Sequence, residues 1–130
     1  MATLSIIEGP ADGSKFALEQ HGLVLIGRDH NCTFQILDPQ MSRMHVQIKR
    51  DTDSDGHVAI DYQSANGVCV NGKRIEADTP LDDGDVIRIG NTSIIYSFQD
   101  DPDAQTITQL LRKHNQARYE TEIPPSGQSG

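Results

Sequence analysis

Short hydrophobic runs separated by turn residues limit most strongly what this chain can fold into. Each run spans a few residues and stops at Gly, Pro, Asn or Asp, and several alternate, as Val46 and Ile48 do between polar neighbours. Asn71-Gly72 is the strongest hairpin signal, because both residues tolerate positive φ. The series therefore predicts an all-β sandwich or barrel whose loops do the binding. The predicted strands are residues 3–8, 15–19, 23–26, 34–37, 45–49, 57–62, 68–70, 86–89 and 92–98.

Length and charge exclude several functional classes. With 130 residues the chain can form one domain with an ordinary core. Its net charge of −8 argues against broad contact with nucleic acid or an anionic membrane, because both need a wide positive field, but a small local anion site stays open. No apolar run approaches the ~20 residues that cross a bilayer, and the first residues do not resemble a signal peptide. Cys32 and Cys69 are too few for a disulfide scaffold, so we expect a reduced, cytoplasmic protein.

The pattern changes after Phe98. Asp100-Asp101-Pro102-Asp103 ends the β series, and Ile107, Leu110 and Leu111 then recur at helical spacing. We predict a β domain over 1–99, followed over 100–130 by a helix at about 103–119, capped by Asp103, and a flexible tail or linker.

The usual enzymatic signatures do not occur in this sequence, so we expect no catalysis and no cofactor. There is no phosphate-binding glycine loop, nucleophile elbow or zinc-protease helix. His30 and Cys32 lack a second ligand pair for zinc, and we expect no resident metal. The segment 51–56 copies the first half of a calcium loop, but its twelfth position is Tyr62 and its flanks are predicted strands. A solvated hairpin turn is the favoured interpretation, and calcium binding stays open.

Four polar side chains lie where loops meet the predicted strands. Arg28 ends one strand, Ser42 and Arg43 precede another, and Asn66 lies in a later turn. Arginine offers a planar fork of donors for phosphate, serine a neutral donor, and asparagine both donor and acceptor for a peptide main chain. These groups can act together only if their loops gather at one end of the sandwich, which Greek-key connections allow.

The order of these motifs resembles the forkhead-associated (FHA) domain family. The resemblance covers residues 3 to about 99, and implies a twisted two-sheet β-sandwich of about eleven strands that binds phosphothreonine peptides without catalysis. The motifs that carry it are Gly-Arg at 27–28, Ser-Arg-x-His at 42–45, Ser-x-Asn-Gly at 64–67, Val-Asn-Gly at 70–72, Gly-Pro-x-x-Gly at 9–13 and the segment 81–90.

The resemblance implies roles for individual residues at the loop end. Arg28 and Ser42 are expected to bind the phosphate, and Arg43 to assist them or to contact the peptide beside it. Asn66, with Ala65 next to it, is expected to bind the peptide main chain. Many members carry Thr or Ser at position 65, so Ala65 removes one hydroxyl contact and lowers the expected affinity.

Three further residues are expected to support the site. Gly27 and Gly67 would permit tight backbone turns. His45 would brace the Ser42 loop through a buried hydrogen bond, since no nucleophile accompanies it for catalysis. Gln63 stands where Gly is common in the family and could reshape the groove.

The expected partner is a phosphothreonine-containing protein downstream of a Ser/Thr kinase, in signalling or phosphodependent assembly. A phosphate-independent β-sandwich interaction domain is the alternative. The end of the sequence would link to a fused domain, or Thr106, Thr108 or Thr121, once phosphorylated, would dock on the chain's own site or on that of a neighbour; an inert linker is favoured.

Overall fold

A computed structural model of the chain describes residues 2–18, 22–51, 56–62, 64–99 and 102–112. Within these residues the backbone forms eleven β-strands and one helical segment, residues 104–112. The strands are β1 (Thr3–Glu8), β2 (Lys15–Ala17), β3 (Leu23–Gly27), β4 (Phe34–Gln35), β5 (Val46–Arg50), β6 (His57–Asp61), β7 (Cys69–Val70), β8 (Lys73–Arg74), β9 (Thr79–Pro80), β10 (Val86–Ile89) and β11 (Thr92–Ser97).

The strands form two sheets, which confirms the predicted sandwich. Sheet A has the order β2-β1-β11-β10-β7-β8, and sheet B has the order β4-β3-β5-β6-β9. The strands pair in an antiparallel manner, except that β4 runs parallel to β3. β8 and β9 were not predicted individually, because Lys73-Arg74 and Thr79-Pro80 contain neither an apolar run nor an alternating pattern.

The core lies between the inner faces of the two sheets. In sheet A, Leu4 pairs with Tyr96 across β1 and β11, and both side chains are fully buried. In sheet B, the alternating residues Val46 and Ile48 of β5 point into the same core. Full burial of one such aliphatic side chain contributes about 1.5–3 kcal/mol, so this core provides a rigid base for the loops.

The Asn71-Gly72 turn between β7 and β8 has the conformation that its sequence predicts. Its φ angles are 54° and 83°, both positive as a two-residue hairpin turn of this type requires. The Asn71 side chain also donates from Nδ2 to Asp85 Oδ1 at 2.9 Å and accepts from Val86 N at 2.9 Å. The turn is therefore fixed to the strand beside it.

The chain after β11 turns back over the outer face of sheet A. Lys15 lies on that face, opposite Ser5, and its Nζ donates to the Pro102 carbonyl at 2.6 Å. Ile95 shares the face through its pairing with Ser5 and is fully buried although it lies outside the core. The segment that contains Pro102 therefore contacts this outer face.

The helix that follows begins as the sequence predicts. The Asp103 carboxylate accepts from Thr106 N at 2.8 Å, which is an N-cap and confirms the predicted cap. Helical structure runs from residue 104 to 112, and the rest of the predicted helix and tail, residues 113–130, lies outside the described part. Among the described residues no helix is long and apolar enough to cross a membrane.

Candidate functional site

Three loops meet at one end of the sandwich and bring the predicted site residues together. The backbone N–H of Arg28 donates to the Ser42 carbonyl at 3.1 Å, which joins the β3–β4 turn to the β4–β5 loop. The Ala65 N–H donates to Ser42 Oγ at 3.0 Å, which joins the β6–β7 loop to the same serine. Ser42 therefore lies at the junction of all three loops.

Gly27 allows two of these loops to approach so closely. A Cβ atom added at Gly27 would lie 2.2 Å from the Arg43 carbonyl oxygen and 2.9 Å from Met44 Cα. No side chain fits in that space, so only glycine lets the backbone around Arg43 lie directly against the end of β3. The positions of Arg28 and Arg43 relative to each other depend on this contact.

The Arg28 side chain is exposed and held at one point. Its Nε donates to the Met41 carbonyl at 3.0 Å, and its own carbonyl accepts from Gln35 Nε2 at 3.1 Å. The terminal nitrogens make no other hydrogen bond to the residues that the structure describes. Because Nε is already engaged, the guanidinium edge is oriented before any ligand arrives.

Arg43 stands beside a carboxylate. Its side chain is 76% exposed, and its Nε lies 3.6 Å from Asp29 Oδ2. The hydrogen bond from Asn31 N, together with the positive charges of His30 and Arg43, lowers the pKa of Asp29 against a smaller opposing effect of burial. Asp29 is thus a carboxylate at neutral pH, and it directs Arg43 while leaving its terminal nitrogens to solvent.

His45 connects two loops beneath the exposed residues. Its ring is fully buried, and its Nδ1 accepts from the backbone N–H of Ser42 at 2.9 Å. Since a backbone N–H can only donate, the ring proton resides on Nε2, which donates to the Gly67 carbonyl at 2.8 Å. The imidazole thus joins the β4–β5 loop to the β6–β7 loop, where the sequence predicts a structural histidine.

Asn66 is exposed at the rim, which is the end of the sandwich where the three loops meet. Its side-chain amide is anchored through the nitrogen. Its Nδ2 donates to the Gln40 carbonyl at 3.0 Å, and its Oδ1 is left to accept. The turn around it is closed by the Gly67 N–H, which donates to Ser64 Oγ at 3.0 Å, and Gly67 has φ +82°. The amide is therefore presented toward solvent at a fixed position.

Asp38 is a site-shaping residue that the sequence analysis missed. Its carboxylate is fully buried and accepts from Gln40 N at 2.9 Å, from Asn91 N at 2.7 Å and from Thr92 Oγ1 at 2.8 Å. It thereby fixes the loop that carries Ser42 to the turn between β10 and β11. The sequence signal was Asp-Pro, which is typical of a strand end and does not reveal a buried carboxylate.

We expect Asp38 to make stability sensitive to acid. Burial raises the pKa of this carboxyl, but its three hydrogen bonds and the positive charge of Arg88 outweigh that effect and lower the pKa overall. A lowered folded-state pKa contributes stability that is complete well above the unfolded value of about 3.9, and it is lost as pH falls through the folded value. Asp38→Asn should therefore cost most stability at pH 7.

Urea unfolding of both proteins at several pH values measures this effect. The difference in unfolding free energy between the wild type and Asp38→Asn should shrink below about pH 4, as the wild-type carboxyl takes up its proton. A difference that is the same at pH 7 and pH 3 would show that the charge of Asp38 contributes nothing.

The other candidate sites of the sequence analysis are described only in part. Cys32 is buried and its Sγ donates to the Arg43 carbonyl at 3.1 Å; burial, with a smaller effect of Asp29, raises the pKa of the thiol. In the described ranges no group of three or more His, Cys, Asp or Glu side chains could hold a metal. Of the calcium-like segment, residues 52–55 lie outside those ranges, and its ends pair through Asp51 N and the Gly56 carbonyl at 2.8 Å.

The threonines considered for self-docking are partly described. The Thr106 backbone N–H donates to the Asp103 carboxylate that caps the helix, and Thr108 Oγ1 donates to the Ala104 carbonyl at 2.8 Å. Thr121 lies outside the described residues. Thr106 and Thr108 are thus both engaged within the helix.

Comparison with known proteins identifies the family. The FHA domain family model matches residues 24–90. The FHA domain-containing protein FhaA of Mycobacterium tuberculosis is 37% identical over 95 residues, which is 72% of this chain and 16% of FhaA. The chain thus spans about a sixth of that relative.

Solved structures agree with this assignment. The FhaA FHA domain, complexed with the intracellular domain of Rv3910, is 32% identical with a TM-score of 0.65, covering 74% of this chain and 99% of that one. Mycobacterium tuberculosis EmbR, in complex with a low affinity phosphopeptide, is 32% identical with a TM-score of 0.69, covering 79% and 26%. The chain belongs to the FHA domain family.

Proposed function

We propose that this chain is a non-catalytic module that recognises phosphothreonine in partner proteins. Arg28 and Ser42 would bind the phosphate, with Arg43 beside them, and Asn66 would bind the main chain of the peptide. The observation that carries the proposal is the meeting of Arg28, Ser42 and Ala65 at one rim, through hydrogen bonds of 3.0–3.1 Å between loops that are far apart in the sequence.

The hydrogen-bond pattern of Ser42 supports its role. Its Oγ already accepts from the Ala65 N–H, and a hydroxyl carries a single proton of its own. That proton is available to a phosphate oxygen, while the Ala65 bond fixes the oxygen in place. Arg28 is similarly fixed through Nε, and its terminal nitrogens supply charge-assisted donors.

Short-range donors must overcome an unfavourable overall field. The chain has a net charge of −8, and a phosphothreonine carries about −1.5 to −2 charges at neutral pH. Long-range attraction therefore cannot provide affinity, and loops ordered in advance keep the entropic cost of binding low. The hydrogen bonds of His45 and Asp38 supply that order on either side of Ser42.

Known relatives support the class of partner. The EmbR structure contains a phosphopeptide, and the FhaA domain was solved with the intracellular domain of another protein. For this chain we propose a phosphothreonine-containing protein, modified by an upstream Ser/Thr kinase. Ala65 offers no hydroxyl to the phosphate, so we expect lower affinity than a threonine at that position would give.

The test compares peptides that differ only in phosphorylation. A phosphothreonine peptide array with one fixed neighbour at a time supplies the best sequence, and fluorescence polarisation then measures its phosphothreonine, phosphoserine and threonine forms. We expect binding to the phosphothreonine form, none to the unmodified form, and about fourfold weaker binding to phosphoserine, because one buried methyl contributes ~0.8 kcal/mol. Equal binding of the phosphorylated and unmodified forms would instead support the phosphate-independent interaction domain.

A further inference from the structure

Arg74 places a second cationic group against the loop that carries Asn66. A Cβ added at Gly67 would lie 2.7 Å from Arg74 Nε, 2.8 Å from Cζ and 3.1 Å from a terminal nitrogen. The guanidinium thus lies directly over the Gly67 backbone, one peptide unit from Asn66. The absence of a side chain at Gly67 makes room for it.

The surroundings of Arg74 differ from those of its neighbour across the sheet. Cys69 pairs with Arg74 on one side and with Arg88 on the other, so the two arginines lie in one row on the outer face of sheet A. Arg88 is neutralised by Glu8 Oε1 at 2.6 Å and also donates to Ser93 Oγ at 2.8 Å. The Arg74 side chain is exposed and forms no hydrogen bond or ion pair with the described residues.

The other arginines of the rim are already directed elsewhere. Arg28 Nε is engaged with Met41, and Arg43 lies beside Asp29. Arg74 belongs to neither loop and approaches Asn66 from the edge strand β8. In a chain of net charge −8, a guanidinium that lies at this place without a counter-ion among the described residues favours an anionic group brought by the ligand.

From this geometry we propose that Arg74 is a specificity-determining residue that selects an aspartate or glutamate side chain close to the phosphothreonine. This inference rests on the proposed function, because Asn66 must hold the peptide main chain for a flanking side chain to reach Arg74. The guanidinium fork matches a carboxylate in a two-point contact, and its position over Gly67 limits the freedom that binding must remove.

The test moves one glutamate along the best phosphothreonine peptide and compares each version with glutamine at the same place. Fluorescence polarisation is measured for the wild type, for Arg74→Gln, and for Lys73→Gln, which removes the same charge from the adjacent position of β8. We expect one position at which glutamate binds roughly threefold to tenfold more tightly than glutamine to the wild type. Arg74→Gln should abolish that ratio, and Lys73→Gln should retain it.

A charge-reversal variant provides an independent test of the proposal. Arg74→Glu should prefer lysine over glutamate at the selected position, and the wild-type preference should weaken in concentrated salt. The inference is wrong if no position favours glutamate, if the ratio survives Arg74→Gln, or if Lys73→Gln reduces it equally. Failure of the proposed function has a different result, since the wild type would then bind phosphorylated and unmodified peptides equally.

Discussion

Replacement of Arg28 by alanine is expected to weaken binding of a phosphothreonine peptide by about 2–5 kcal/mol, which is a loss of about thirtyfold to several thousandfold. The variant lacks the oriented, charged guanidinium, and the phosphate has lost its hydration shell on binding, so nothing replaces that donor. The fold should persist, because the Arg28 side chain is exposed and its one side-chain hydrogen bond to the described residues goes to the Met41 carbonyl. Calorimetry or fluorescence polarisation measures the affinity, and thermal unfolding checks the fold.

Two further variants separate the guanidinium from general charge. Arg28→Lys keeps the charge but loses the planar fork, so it should restore only part of the affinity. Arg50→Ala removes the same charge from the far end of β5 and should bind within about twofold of the wild type, since exposed distant charges are screened. If Arg28→Ala binds as the wild type does, Arg28 does not bind the phosphate.

Replacement of His45 by alanine is expected to destabilise the fold by about 2–5 kcal/mol, because the Ser42 N–H and the Gly67 carbonyl both lose their buried partner and a cavity forms. The melting temperature should fall by roughly 10 °C or more. Binding should weaken as well, since the ring connects the loops that carry Ser42 and Asn66. Thermal unfolding, followed by binding at a temperature where the variant is folded, measures both effects.

His30→Ala provides the matched control for this variant. Its side chain is 82% exposed, so its loss should leave the melting temperature almost unchanged. An unchanged melting temperature for His45→Ala combined with lost peptide binding would contradict the bracing role and would make His45 a contact residue.

The sequence predicts the β-sandwich because its information is local. Alternation in β5 and the Asn71-Gly72 pair each fix a piece of geometry within a few residues, and the structure has both. The two-residue strands β8 and β9 could not be predicted in this way, since they form only where a neighbouring strand offers backbone partners. Their position depends on tertiary structure.

The candidate site could likewise be predicted only in part from the sequence. Motif order and its resemblance to a family select Arg28, Ser42 and Asn66, but residue type alone does not bring them together. The junction depends on Gly27, which the Gly-Arg motif does select, and on the buried carboxylate of Asp38, which has no pattern in the sequence. The sequence does not reveal that Gly27 lies directly against the Arg43 backbone. The same applies to Arg74, whose nearness to Gly67 follows from the pairing of β7 with β8.

The contact between the segment after β11 and the outer face of sheet A limits how far the protein can be shortened for quantitative work. Truncation after Gln99, where the β domain was predicted to end, would remove the Pro102 carbonyl to which Lys15 donates. A hydrogen bond to a charged group contributes at most about 1.5–3 kcal/mol, a sizeable part of the margin that keeps a small domain folded. Affinities measured on such a fragment would report a weakened scaffold together with the recognition chemistry, so the protein used for those measurements should include Pro102.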